Sequence, residues 1–149
     1  MKSFVASLAC AALLCAAPAR PAAAQQPARS FRVIVNAENP VGLLDAAEIS
    51  RMFLKKTATW RNNGQPVVAI ELAPGAVRDA FDRDIHNKSN AELERYWQVM
   101  VFSGKGTPPP ARATDAEIIE IVRHSPFAIA YVSATTPLPA DIKPVTITQ

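Results

Sequence analysis

Apolar positions along the chain fall into two kinds of pattern. Residues 31–36 (FRVIVN), 67–70 (VVAI) and 127–132 (FAIAYV) are short, nearly continuous apolar runs of the kind found in strands covered on both faces. Residues 142–147 form a shorter run, in which Pro144 points to a sheet edge because proline has no N–H to give a ladder. Between these runs the apolar residues recur every three or four positions, the period of one helix face. Ile49, Met52 and Phe53 form one such set, and Val77, Phe81 and Ile85 a second. Leu93, Tyr96, Trp97, Met100 and Val101 form a third, and Ile118, Ile121 and Val122 a fourth. Three of the four are preceded by capping-box spacings, Asp45-x-x-Glu48, Ser89-x-x-Glu92 and Thr114-x-x-Glu117, which satisfy free N–H groups at a helix start. Asn39-Pro40 and the stretch 103–110 (SGKGTPPP) read as loops. The order is β-α-β-α-α-α-β-β. It predicts an α/β fold: a single three-layer lobe, with a mostly parallel mixed sheet and helices on both faces.

Of the 149 residues, 1–24 have the layout of a secretory signal peptide. Lys2 supplies the positive start, residues 4–17 an apolar stretch shorter than the roughly 20 residues of a membrane span, and Ala22-Ala23-Ala24 a small-residue cleavage site. The expectation is therefore an exported, periplasmic protein with a flexible leader over 25–30 and one domain over 31–149; a retained N-terminal anchor is the alternative. Both cysteines, Cys10 and Cys15, lie in the signal, so the mature chain has no disulfide, thiolate nucleophile or cysteine metal site. Lipidation at Cys10 is left open, because Ser7 stands where a lipoprotein signal wants an aliphatic residue. Lys2 and Arg20 leave with the signal and no acid does. The formal charge thus falls from +3 to +1, with 14 basic against 13 acidic residues, and gives no support to a nucleic-acid role.

Few residues suggest catalysis. His86 and His124 each end a predicted helix, where histidine is an ordinary capping or surface group, and neither has ligand-spaced partners. Asp79, Asp82 and Asp84 interleave with Arg78 and Arg83 on what reads as the solvated face of the helix after residue 75, with Asp79 and Arg83 spaced to pair. Trp60, Tyr96 and Trp97 read as core. No nucleophile–base spacing, metal constellation or cofactor motif appears, so no enzyme activity and no cofactor are expected. What remains is the strand, the Pro74-Gly75 turn and the helix behind it, which aim free N–H groups at the space above the sheet. Arg78 lies in that first turn, where a cation does not help the helix dipole. A bound anion, plain exposure or a pair with Asp82 would each account for it. Lys105, in a loop that lacks phosphate-loop spacing, is a second cation within reach if the loop folds over the sheet.

At this point the chain resembles a known family. Arg51-Met52-Phe53-Leu54-Lys55-Lys56, then Trp60, then Pro74 to Phe81, then 125–132 (SPFAIAYV) are similar in order and spacing to the substrate-binding proteins of phosphate ABC transporters. The resemblance spans most of the mature chain. It implies a type II periplasmic binding-protein fold, of which this chain has length for one lobe. It also implies a phosphate-like anion at Gly75, Ala76, Val77 and Arg78, with Lys105 as a lid cation. The family's Gly-Ser-Gly-Thr-Arg reads here as Pro74-Gly75-Ala76-Val77-Arg78, so two hydroxyl ligands are replaced and Glu71 adds a negative charge upstream. The expected function is weak small-anion binding or transport-associated solute binding, with a membrane permease or sensor as partner. The alternative is a non-catalytic envelope interaction module, joined as a homodimer, that has lost its ligand.

Overall fold

The computed structural model describes residues 28–149; the signal-peptide and leader readings lie almost wholly outside them. Seven strands and four α-helices follow in the order β1 (Phe31–Asn36), β2 (Leu43–Asp45), α1 (Ala46–Phe53), β3 (Val68–Leu72), α2 (Ala76–Phe81), α3 (Asn90–Phe102), β4 (Ala111–Arg112), α4 (Asp115–Arg123), β5 (Ala128–Ser133), β6 (Ile142–Pro144) and β7 (Thr146–Thr148). The main sheet has strand order β4-β3-β5-β1-β6. β3 is parallel to both β4 and β5, while β1 is antiparallel to β5 and to β6. Four of its five strands therefore run one way and β1 runs the other. Pro144 ends β6 at the sheet edge, as its missing N–H requires.

Central position explains the continuous apolar runs. Val33, Ile34 and Val35 on β1, and residues 128–132 on β5, are fully buried. Successive side chains point to opposite faces. Phe31 and Tyr131 meet Phe53 and Phe81 of α1 and α2 on one face. Asn36 donates to the Val122 and Arg123 carbonyls of α4 on the other. Helices thus cover both faces. Phe81 lies flat on Tyr131, with ring centroids 3.9 Å apart and planes 9° from parallel. Trp60 is buried and donates its indole N–H to the Phe127 carbonyl (2.9 Å), which pins the loop before β3 to the start of β5.

The helices begin where the capping spacings place them. Ser89 and Thr114 form complete boxes with Glu92 and Glu117, and Asp45 accepts from the Glu48 N–H at 2.6 Å. Three features differ from the sequence reading. β2 and β4 are extra strands of three and two residues, held by β7 and β3. The final run divides at Val145 into β6 and β7, which pair with different neighbours. On α3 only Leu93 and Trp97 are buried, and Val99, Val101 and Phe102 face solvent.

Candidate functional site

The site grows from the carboxyl end of β3. Its last two residues, Glu71 and Leu72, pair with β4, and the Ala73 N–H reaches the Arg112 carbonyl at 2.8 Å. The turn into α2 therefore runs beside the turn into α4. Residues 72–78 face Ala113 and Asp115 across an open cleft of about 270 Å³. This is the crevice beyond the carboxyl ends of strands where α/β proteins hold ligands. The first N–H groups of any helix lack an intrahelical partner; in α4 Thr114 supplies a capping side chain, whereas α2 starts at Gly75 with no side-chain cap. Asp115 is held in place by the Ser133 N–H (3.1 Å) and the Thr136 hydroxyl.

Beneath the cleft lies a buried cluster of charge. Glu71 is 3 % exposed and its Oε2 stands 2.6 Å from Arg78 Nη2. Arg78 also gives Nη1 to the Leu72 carbonyl (3.1 Å) and faces Asp82 across 3.6 Å. The helix widens after α2 into one π turn, Asp82–His86, which buries Asp82, Ile85 and His86 together. His86 Nε2 is 4.0 Å from Asp82 Oδ1, and its Nδ1 is 2.8 Å from Ser50 Oγ of α1. Burial dominates the proton equilibria here. It pushes the Glu71 carboxyl up to about 7 against the pull of Arg78. It raises Asp82 to about 6, again opposed by Arg78. Burial, reinforced by Arg78, Lys88 and Lys56, lowers His86 to about 4, so the imidazole is neutral at pH 7. Tyr131 is raised too, by burial and then by Glu71.

Several sequence expectations are relocated by this geometry. Gly75, Ala76, Val77 and Arg78 do line one cleft. Arg78, however, already has a counter-charge in Glu71, a pairing that the spacing does not announce. Lys105 lies in the exposed turn after α3, its N–H on the Met100 carbonyl, and does not line that cleft. The acid-rich face of the helix is not uniformly solvated. Asp82 is buried, Asp79 accepts from Asn90 (3.0 Å), and Arg83 pairs with Asp84 at 3.3 Å, not with Asp79. His86 is a buried residue, not a surface cap, whereas His124 is exposed and pairs with Glu120 at 2.9 Å. Ser50, His86 and Asp82 bring together the residue types of a nucleophile relay that sequence reading missed. Their signal was present: Asp82 and His86 directly follow the inward residues Phe81 and Ile85, as Ser50 follows Ile49. None of the three cavities described for the molecule is lined by Ser50 or His86, and Asp82 stands too far from the imidazole for a hydrogen bond. Among the described residues no group of three or more His, Cys, Asp or Glu side chains could hold a metal ion.

The chain matches no protein-family model and no curated protein sequence. Its structure does have relatives. A Clostridium perfringens protein solved with bound phosphate, and assigned to the phosphate ABC transporter substrate-binding proteins, is 20% identical with a TM-score of 0.60, covering 79% of this chain and 44% of that one. An ABC-type phosphate transport receptor from Vibrio cholerae is 14% identical with a TM-score of 0.62, over 79% and 46% of the two chains. PstS from Borrelia burgdorferi is 10% identical with a TM-score of 0.62, over 80% and 47%. The chain spans less than half the length of each. At these identities the likeness is one of fold: this domain has the architecture of one lobe of such phosphate-binding proteins.

Proposed function

We propose that this domain is an exported solute-binding lobe that takes a small oxyanion weakly in the cleft above β3. The observation that carries the reading is the cleft itself. It lies at the carboxyl ends of parallel strands, bordered by the starts of α2 and α4, in a fold shared with a protein solved with bound phosphate. The contacts are the amides of Gly75, Ala76 and Val77, with Arg78 beside them as part of an ion pair. Lys105 contributes only if the turn after α3 moves. Affinity is weak because the cleft is open on one side, Glu71 cancels Arg78, and Val77 carries no hydroxyl. Asp115 on the opposite wall favours an anion that still carries a proton, so phosphate binds ahead of sulfate. The lobe works in the periplasm beside a membrane permease or sensor that completes the cleft, and it performs no catalysis. No helix among the described residues is long and apolar enough to cross a membrane.

Calorimetric titration of the secreted protein with phosphate and with sulfate tests this reading. Millimolar phosphate affinity exceeding that for sulfate is the expected result; no heat with either anion sinks it. One observation favours the competing reading, an interaction module without a ligand: Arg78, the cation nearest the cleft floor, is already neutralised. That reading requires a stable partner or homodimer, and light scattering showing a monomer that recovers no envelope partner would remove it.

A further inference from the structure

A second and larger cavity, about 470 Å³, opens between α3 and the helix that begins at Ala76. Its wall is mostly apolar, made by Leu93, Trp97, Val101 and Phe102 of α3 with Pro74 from the turn after β3. Phe102 is 89 % exposed and Val101 48 % exposed, an unusual amount of uncovered apolar surface for the last turn of one helix. The size falls in the range of small-molecule sites, and such sites pair an apolar wall with a few converging polar groups.

The charge in this groove is one-sided. Arg78 is the one cation on its lining, and Arg78 is in contact with Glu71, which does not line the groove, at 2.6 Å. Three carboxylates remain: Asp82, 4 % exposed and 3.6 Å from Arg78; Asp79, hydrogen-bonded to Asn90; and Glu94 on the α3 wall. An anion entering here meets all three. A second copy docked by two-fold symmetry would set the same acids against themselves. A molecule with an apolar body and one positive head matches both features, covering the α3 side chains and adding the counter-charge that Arg78 does not supply.

We infer that the α2–α3 groove is a second ligand site, for a small amphiphilic cation such as an arylalkyl ammonium. Its ring lies over Leu93, Trp97, Val101 and Phe102, and its ammonium group is directed to Asp82, Asp79 and Glu94. The site is separate from the oxyanion cleft, although both meet at Pro74 and Arg78.

Nuclear magnetic resonance titration of the 15N-labelled protein with three probes of one shape tests the inference: phenethylamine, phenethyl alcohol and 3-phenylpropionate. Phenethylamine is expected to shift the α3 amides and to bind about tenfold tighter than the alcohol, the worth of one charge-assisted contact. Phenylpropionate is expected to be weakest. Glu94→Gln should weaken the amine several-fold and leave the alcohol unchanged; Val101→Lys should abolish amine binding. Both positions are exposed, and an unaltered thermal midpoint shows that the fold is kept. Equal binding of amine and alcohol overturns the inference, as does tightest binding of the anion or no α3 shift with any probe. Shifts in α3 that follow protein concentration and not ligand assign the groove to a second copy and overturn it as well.

Discussion

Glu71 Oε2 and Arg78 Nη2 stand 2.6 Å apart, one near the end of β3 and the other in the first turn of the helix it feeds. The pair joins strand to helix across the turn that forms the cleft. It also sets the cleft's charge, since a guanidinium that would otherwise face a ligand spends its charge on a neighbour in a poorly solvated place. Asp82 adds a second acid on the same cation. The three groups carry one net negative charge when all are ionised, and burial answers by holding protons on the acids to higher pH.

The pair is costly to break from one side. Arg78→Ala leaves Glu71 and Asp82 buried without a cation and is expected to destabilise the domain by about 3 kcal/mol. The double replacement Glu71→Gln with Arg78→Met removes the uncompensated charge and should recover most of that loss. Urea unfolding midpoints of the single and double variants decide the matter. If Arg78→Ala unfolds at the wild-type urea concentration, the pair is a surface ornament.

The same cluster predicts an unusual pH profile. Glu71 and Asp82 titrate higher in the folded state, at about 7 and about 6, than their ordinary 4.5 and 3.8. The folded protein therefore holds extra protons, and these two groups cost stability as pH rises through that span. His86, lowered from 6.5 to about 4, acts oppositely: its contribution is lost as pH falls from about 6.5 towards 4. Two groups outweigh one, so the thermal midpoint should decline from pH 5 to pH 7.5. Glu71→Gln should flatten the part between pH 6 and 7.5. A midpoint that rises steadily across the range contradicts the assignment.

How much of this was legible in the chain depends on where the physics is local. β1 and β5 showed themselves because burial on both faces leaves a nearly unbroken apolar run, β3 because Val68, Ala69 and Ile70 still form a short apolar run although Val68 is exposed, and α4 because Thr114 and Glu117 close a box around its start. β2 and β4 did not, since two or three residues carry no period and owe their conformation to one neighbouring strand, and the run over 142–147 read as one strand because nothing in it shows that its two halves pair with different neighbours. The cleft was legible as a strand, a Pro-Gly turn and a helix. Its charge state was not. Glu71 looks like an interruption of β3, and only the fold shows that it lies under Arg78. α3 misled in the other direction, because a helical apolar stripe gives no sign that its last turn, with Val101 and Phe102, runs past the core into solvent.

Gly75 offers a clean test of the oxyanion cleft. Its backbone is extended (φ 165), and a Cβ built there would come no closer than 3.9 Å to Ala73 O. Gly75→Ser should therefore fold normally, cap α2 for a gain of a few tenths of a kcal/mol, and add a hydroxyl to the cleft. Phosphate affinity is expected to rise several-fold. Gly75→Asp caps the helix equally well but fills the cleft with a carboxylate, and should abolish phosphate binding at unchanged stability. The two calorimetric titrations must diverge. If both variants bind phosphate as the wild type does, the anion is held elsewhere.

The contact of Ser50 Oγ with His86 Nδ1 at 2.8 Å is where a catalytic and a structural reading part. A relay needs a basic imidazole, an aligned carboxylate and room for a substrate. Here the imidazole is held neutral by burial, Asp82 is 4.0 Å away, and none of the described cavities reaches the serine. With the ring proton assigned to Nε2, the nitrogen that faces Asp82, the Nδ1 of neutral His86 accepts from the Ser50 hydroxyl and joins α1 to the π turn. Ser50→Ala should leave a buried ring nitrogen without a partner and cost about 1–3 kcal/mol. It should also ease protonation of His86, because that nitrogen is no longer occupied by a hydroxyl donor. Nuclear magnetic resonance titration of the imidazole should then place its pKa above the wild-type value. Hydrolysis of an activated ester by the wild type that vanishes with Ser50→Ala would establish the relay instead; equal background rates in both, with the stability loss, leave the contact as a structural tie.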